Sequence, residues 1–362
     1  MEELQLTKLD EKILALGMRG FPHNGIIEVT KRCNAQCDYC YMKQEPDIEL
    51  DTKQLKLIID KLNDAGILSL GVTGGEPFIR KDILEILSYI IEKDFFEIVI
   101  QSNGTLLTDE HLDFLKQNSR YFKSIRFSFF SHIPEIHNKY IGILGGFQNT
   151  LSSAIVLKNA GITIKCNINL MDFNFKSILD TRKYFESYGF EVNIASYKLF
   201  VNDHIKQNYR EVTSKEFFKK YLRTIEPKEL NGIKKDFITK MNAPLTDCLC
   251  GLRQVTISIN YRGQVVPCIV FREMPVADLL TDNRPVNEIL SSSQCNQTFR
   301  NLKRTHIYKC RNCKFINYCL LCPGASYEEF GSMSVAPDQA CNWAHAVHEI
   351  IEEDDISNSK NL

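Results

Sequence analysis

The chain carries almost no net charge: 44 Lys and Arg face 45 Asp and Glu over 362 residues, a formal balance of -1. Such a surface exerts no general pull on nucleic acid or on an anionic membrane, so neither is expected as a partner. No apolar run approaches the roughly 20 residues that cross a bilayer. The segment from Met1 to Lys12 is too charged for a signal peptide, and a cytoplasmic location is expected. Internal repeats and low-complexity tracts are absent, and only the tail, 351–362, reads as disordered. A hydrophobic fraction of 44% with 25% charged residues is ordinary for a folded protein, and the length suffices for two domains.

Cysteine, by contrast, is abundant, with 13 residues. Disulfides are rare in chains that are not exported, so these thiols are expected to stay reduced and serve as ligands. Three lie within the first 40 residues, Cys166 stands alone, and the rest fall between Cys248 and Cys341. That asymmetry suggests two metal-bearing modules.

Cys33, Cys37 and Cys40 form a C-x3-C-x2-C triad just after the strand-like stretch Ile26 to Val29. Three thiolates can hold three irons of a cubane cluster and leave the fourth open to a small molecule, whereas electron-transfer clusters usually have four protein ligands. Zinc is the alternative, since closely spaced thiolates bind it too. From the triad to about residue 200, strand-like runs alternate with stretches of helical period. Helices are expected at Asp51 to Asn63, Asp82 to Glu92, Asp109 to Asn118, Gly146 to Ala160 and Phe175 to Tyr188. The intervening strands are Gly66 to Thr73, Phe95 to Gln101, Ser124 to Phe130, Ile162 to Leu170 and Phe190 to Tyr197. Repeated β-α of this kind favours a parallel sheet, with chemistry at the carboxyl ends of the strands.

The triad and its neighbours resemble the radical S-adenosylmethionine (SAM) superfamily, in which SAM chelates the open iron. Tyr39 matches that family's aromatic position before the third cysteine. Gly74-Gly75-Glu76-Pro77 resembles its second motif, which binds the SAM amino group. The resemblance implies further SAM contacts from Ser102 and Asn103 on the third strand, Ser128 on the fourth, and Asn167 and Asn169 on the fifth. It also implies an α/β fold, a partial (β/α)6 TIM-like barrel. The segment from Phe127 to Gly142 looks like the peptide-modifying branch, but Phe130 and Ser131 stand at its Asp-Gly positions and Asn138 follows His137. His137 is either a structural cap or a functional group.

Beyond the barrel, Cys250, Gly263 and Cys268 are followed by Cys310-x2-Cys313-x5-Cys319-x2-Cys322 and then Cys341. This closely resembles the SPASM extension, which implies two auxiliary 4Fe-4S clusters, three in all. Cys268, Cys322 and one or both of Cys248 and Cys250 would hold the first. Cys310, Cys313, Cys319 and Cys341 would hold the second, against a zinc-ribbon alternative for Cys310 to Cys322. Arg253 to Pro267 alternates around Asn260-Tyr-Arg-Gly263 as a β-hairpin does. Cys166 and Cys295 fit no part of the pattern and read as small apolar residues.

The expected organisation is an extension (1–22), a radical SAM core (23–205), a basic helical linker (206–245), a SPASM domain (246–350) and the tail. The linker is either a solvated amphipathic helix or a docking surface for an acidic peptide. The resemblance implies a maturase that makes thioether or carbon–carbon crosslinks in a ribosomally made precursor peptide, with a flavodoxin or ferredoxin as reductant. Anaerobic sulfatase maturation is the alternative, but its basic Asp position holds Ile269, and the catalytic base is unassigned. A non-catalytic iron–sulfur or zinc protein is the alternative of another class. Only about 25 residues precede the first strand, so leader binding is expected to use a separate protein or another surface.

Overall fold

A computed structural model describes residues 21–37, 40, 42, 49–195, 213–225, 230, 232–233, 255–319 and 321–359. The expectations for Tyr39, Cys248 and Cys250, for the extension up to residue 20 and for most of the linker lie outside them.

Six strands alternate with helices. They are β1 (Asn24–Glu28), α1 (Thr52–Asp64), β2 (Ser69–Thr73), α2 (Ile83–Glu92), β3 (Glu97–Ser102), α3 (Asp109–Gln117) and β4 (Phe122–Phe129). The series continues with α4 (Pro134–Ile141), α5 (Gly146–Asn159), β5 (Thr163–Asn169), α6 (Ile178–Glu186) and β6 (Glu191–Ala195). Each strand pairs in parallel with the next, giving the order β6-β5-β4-β3-β2-β1. α1 shows why the pattern folds this way. Asp51 and Gln54 close a capping box, and Leu55, Ile58, Ile59 and Leu62 form one buried stripe. The expected strand from Gly66 starts only at Ser69, because Gly66 takes φ +80 and closes the helix end.

Strand side chains alternate between two environments. Ile125, Phe127 and Phe129 of β4 and Ile164, Cys166 and Ile168 of β5 join helix residues in the main core. Cys166 is fully buried, which raises its thiol pKa strongly, so it packs as the small apolar residue expected. The other set, Arg126, Ser128, Lys165, Asn167 and Asn169, is half-buried on the opposite face, the lumen side.

The carboxyl-terminal hairpin forms as β7 (Thr256–Ile259) and β8 (Gln264–Val266), followed by β9 (Ala277–Asp278). It is not a separate sheet. β7 lies parallel to β1, with Asn24 opposite Thr256, so one nine-stranded sheet runs through both modules. Glu28 of β1 is buried and accepts from Arg272 Nε at 2.9 Å, which ties the modules by an ion pair as well.

α7 (Lys215–Leu222) packs on the last helix, with Phe218 edge-on to Trp343 at 5.3 Å. Helices α8 (Val286–Ser292), α9 (Gln294–Asn301) and α10 (Pro323–Phe330) precede that helix, α11 (Asp338–Ser359). The expected disorder of 351–362 is therefore corrected as far as Ser359. Acidic residues of α11 face α7 and the residue after its end: Glu349 bridges Lys215 and Lys219 at 3.0 and 2.8 Å, and Glu353 pairs with Arg223 at 3.0 Å. These pairs engage Lys215, Lys219 and Arg223 of the described part of the linker, while Lys220 stays exposed.

Candidate functional site

The triad loop leaves the carboxyl end of β1 and is laid against the glycine turn after β2. Val29 N donates to Thr73 O at 2.8 Å, Gly75 N to Thr30 O at 2.9 Å and Glu76 N to Arg32 O at 2.8 Å. A Cβ on Gly74 would lie 2.4 Å from Thr30 O, and one on Gly75 only 2.2 Å from Arg32 O. Glycine is thus required here because the cysteine loop passes across the turn.

On its other side the loop rests on α4 and the end of β4. Gln36 N donates to Ile141 O at 2.9 Å. Ala35, Phe130 and Ile141 form a small apolar cluster on which Cys33, Cys37, Tyr140 and Phe173 pack. Phe130, at the family's Asp position, is fully buried in this cluster and props the loop, which accounts for the departure. His137 is fully buried beside it, and its Nδ1 accepts from Phe130 N at 3.4 Å. Burial pushes its pKa down to about 4, so it is a neutral structural cap.

Two residues that carry no sequence signal close the loop. Arg80 is buried, and its Nη1 donates to Val29 O at 3.0 Å and Leu50 O at 2.9 Å, gripping the chain before and after the triad. Asn174 Nδ2 donates to Phe130 O at 2.9 Å and Asn169 O at 2.8 Å, stapling the ends of β4 and β5.

The sulfurs are half-buried and supplied with donors. Cys33 Sγ accepts from Ala35 N at 3.4 Å and from Asn103 Nδ2 at 3.8 Å. Cys40 N donates to Cys37 O at 3.0 Å, and the Cys33 and Cys40 sulfurs lie near enough for their charges to interact. Burial pushes both thiols up, so they become thiolates only when a metal replaces the proton.

Glu76 is fully buried. Its Oε1 accepts from Ser102 Oγ at 2.8 Å and Phe78 N at 3.1 Å, and its Oε2 from Asn103 N at 2.6 Å. Burial nevertheless pushes its pKa up to about 7. Three of roughly four acceptor positions of the carboxylate are used, which leaves room for one cationic donor such as an amino group. The structure therefore brings Cys33, Gly74, Gly75, Glu76, Pro77, Ser102 and Asn103 to one place.

Ser128, Asn167 and Asn193 form a second group, side by side across β4, β5 and β6. Asn193 Nδ2 donates to Asn167 Oδ1 at 3.3 Å. One row nearer the strand starts lie Gln101, Arg126, Lys165 and Glu191. Arg126 Nε is buried without a hydrogen-bond partner, and Lys165 pairs with Glu191 at 2.7 Å. Sequence reasoning missed Arg126 and Asn193, although the alternation that buries their neighbours marks them. Asn169 stands at the end of β5, beside Ala195.

Cys310, Cys313, Cys319 and Cys341 line a single cavity of about 440 Å³, together with Arg304, Lys309 and Lys314. That volume suits a polynuclear group rather than one ion, and cations stand ready for four thiolates. Among the described residues no three His, Cys, Asp or Glu gather as a metal-ion site. Burial pushes Cys319 up to about 12 and raises Cys310 and Cys341. The remaining pair stands apart from this cavity: Cys268 precedes the short turn Ile269–Phe271, and Cys322 caps α10. Turn and helix pack together, with Phe271 5.4 Å from Tyr327 and Gly324 against Val270.

The sequence matches the radical SAM superfamily over residues 27–185 and the SPASM iron–sulfur cluster-binding domain over residues 248–314. The antilisterial bacteriocin subtilosin biosynthesis protein AlbA of Bacillus subtilis is 26% identical over 335 residues, covering 89% of this chain and 71% of its own. An AdoMet-dependent heme synthase of Nitratidesulfovibrio vulgaris is 26% identical over 347 residues, covering 87% and 91%. Among solved structures, anSMEcpe with bound AdoMet and Cp18Cys peptide superposes with a TM-score of 0.72 at 19% identity, over 94% of this chain and 100% of that one. Streptococcus suis SuiB bound to precursor peptide SuiA gives 0.67 at 17% identity, over 92% and 80%. These two likenesses establish the shared fold. By these sequence matches, the chain carries a radical SAM domain over residues 27–185 and a SPASM iron–sulfur cluster-binding domain over residues 248–314.

Proposed function

We propose that this enzyme oxidatively modifies a ribosomally made precursor peptide, forming a thioether or carbon–carbon crosslink. The observation that carries the reading is the pair of carboxamides left on the lumen face beside the SAM contacts, Asn193 of β6 and Gln101 of β3. An extended peptide brings an amide donor and a carbonyl acceptor at every residue. Carboxamides and hydroxyls answer both, and polar groups removed from water need such partners. The heme synthase matches this chain as well by identity as the subtilosin protein does. A large flat macrocycle would instead call for mainly apolar walls.

When bound, SAM and a reduced cluster supply a 5′-deoxyadenosyl radical, which removes hydrogen from an unactivated carbon. In this reading Cys33, Cys37 and Cys40 ligate that cluster, and Glu76, fixed by Ser102 and Asn103, accepts from the amino group of SAM. Ser128, Asn167 and Asn169 hold the nucleoside side. Cys268 and Cys322, with one or both of Cys248 and Cys250, would hold one auxiliary [4Fe-4S] cluster. Cys310, Cys313, Cys319 and Cys341 hold the other, so that the substrate can lose its second electron. The half-buried side chain of Ile269 offers no carboxylate where a sulfatase maturase has its base, which favours crosslinking. A low-potential flavodoxin or ferredoxin supplies the electrons, in the cytoplasm.

The test is anaerobic reconstitution with any short peptide found encoded beside the gene. The reading expects about twelve irons per chain, 5′-deoxyadenosine on reduction, and a peptide lighter by about two hydrogens per crosslink. Reconstituted, reduced enzyme that makes no deoxyadenosine would sink it, and zinc in place of iron in the second module would overturn the auxiliary clusters.

A further inference from the structure

The six parallel strands carry six charged side chains: Glu28, Glu97, Lys123, Arg126, Lys165 and Glu191. Five of these are matched within the chain: Glu28 accepts from Arg272, Lys123 lies 3.1 Å from Glu97, and Lys165 lies 2.7 Å from Glu191. Arg126, on β4, is the sixth. Among the described residues no carboxylate pairs with it, and its buried Nε has no hydrogen-bond partner. Its neighbours across the sheet do not compensate it. Gln101 of β3 is neutral, and Lys165 of β5 is a second cation whose charge Glu191 takes up. Like charges on facing strands repel, and a guanidinium withdrawn from water without an acceptor is costly to keep. The fold gains no bond from this group, so its partner is to be sought outside the chain.

Arg126 stands on the lumen face, since Ile125 and Phe127 on either side of it are buried in the main core. It comes two residues before Ser128, which sets it roughly 7 Å nearer the strand starts than the row of Ser128 and Asn167. A molecule that enters the lumen beneath Glu76, Ser102 and Asn103 meets it.

We propose that Arg126 receives a carboxylate of the substrate peptide, from an Asp or Glu side chain or from the chain end, so that the barrel selects an acidic segment. The inference deepens the peptide reading above and takes from it the identity of the molecule. A guanidinium offers a rigid planar fork that meets both oxygens of a carboxylate at once, which a lysine ammonium does not. Gln101, directly opposite, supplies a neutral donor and acceptor for the peptide backbone beside that acid. No bond is made or broken at Arg126; it binds and orients.

The test uses the reconstituted full chain with SAM and two pairs of small probes followed by ligand-observed NMR. One pair is acetylglutamate N-methylamide against acetylglutamine N-methylamide; the other is an acetylated alanine dipeptide with a free against an amidated end. The acid of one pair is expected to bind on the order of tenfold more tightly than its amide, and the pair that shows this tells the side-chain source from the chain end. In R126Q the preference should vanish, and in R126K it should survive in part. A stability measurement separates this role from a structural one: R126Q removes an unmatched charge, so its denaturant midpoint should equal or exceed the parent's, with SAM affinity unchanged. No acid preference in the parent, or the same preference in R126Q, overturns the site. So does an R126Q chain that loses SAM affinity, which gives the arginine to the cofactor, or one that loses stability, which gives it to the fold. An acid preference that depends on Arg126, in a chain that crosslinks no peptide, supports the carboxylate site and overturns the crosslinking reading alone.

Discussion

Gly75→Ala tests whether the Gly-Gly-Glu-Pro turn is built around the cysteine loop. The new methyl would sit 2.2 Å from Arg32 O and 2.6 Å from both Arg32 C and Lys31 O. All three are backbone atoms, which cannot swing aside as a side-chain end can. Relief requires the loop to lift off the turn, which breaks the bonds from Gly75 N to Thr30 O and from Glu76 N to Arg32 O. Two hydrogen bonds at about 1 kcal/mol each, plus about 1–3 kcal/mol for overpacking, give a cost of about 3–5 kcal/mol. The lifted segment carries the triad, so the loss should appear first as failure to load the SAM-binding cluster and only second as lower stability. The assay is iron per chain after anaerobic reconstitution, with the EPR signal of the reduced cluster and a denaturant midpoint on the same samples. Gly71→Ala is the control, since its Cβ would meet nothing nearer than 3.5 Å. A Gly75→Ala chain with full iron, the parental EPR signal and stability within about 1 kcal/mol of the parent would refute the steric argument.

Glu76 predicts a pH effect on the metal-free chain. Its folded pKa, about 7, lies above the unfolded value of 4.5, so between those values the folded state binds more protons and stability falls as pH rises. The total is on the order of 3 kcal/mol, complete above pH 7, and Glu76→Gln should flatten the slope in urea melts run across that window. Arg272→Ala leaves buried Glu28 without its ion-pair partner and should cost about 3–5 kcal/mol, whereas Glu28→Leu with Arg272→Met should recover most of it. A double-mutant cycle that finds the two sites additive would contradict the pairing. Cys37→Ala should abolish deoxyadenosine formation and remove about four irons per chain, while the iron of the second module remains. Retained turnover in that variant would return the non-catalytic reading.

What the sequence made legible was what repeats locally. The strands read as apolar runs ended by turn residues, α1 announced itself by its helical period, and the cysteines by their spacing. What it hid depends on backbone groups or on distant partners. Arg80 and Asn174 bind carbonyl oxygens, an interaction that leaves no periodicity, so each looked like any polar residue near a turn. Glu353 fell in a stretch that read as disordered because its partners, Lys219 and Arg223, lie 130 or more residues upstream. Likewise the four residues of β7 have a hairpin's signature, but nothing in them says that Thr256 pairs with Asn24. Parallel pairing across that separation is decided by the open edge of β1. The same edge strand leads directly into the triad loop, so the second module is seated on the strand that presents the first set of cysteines. Glu28 fixes that seating from within the sheet. A change at the β1–β7 seam should therefore disturb both sets of metal ligands together, where a change in either cysteine set disturbs one.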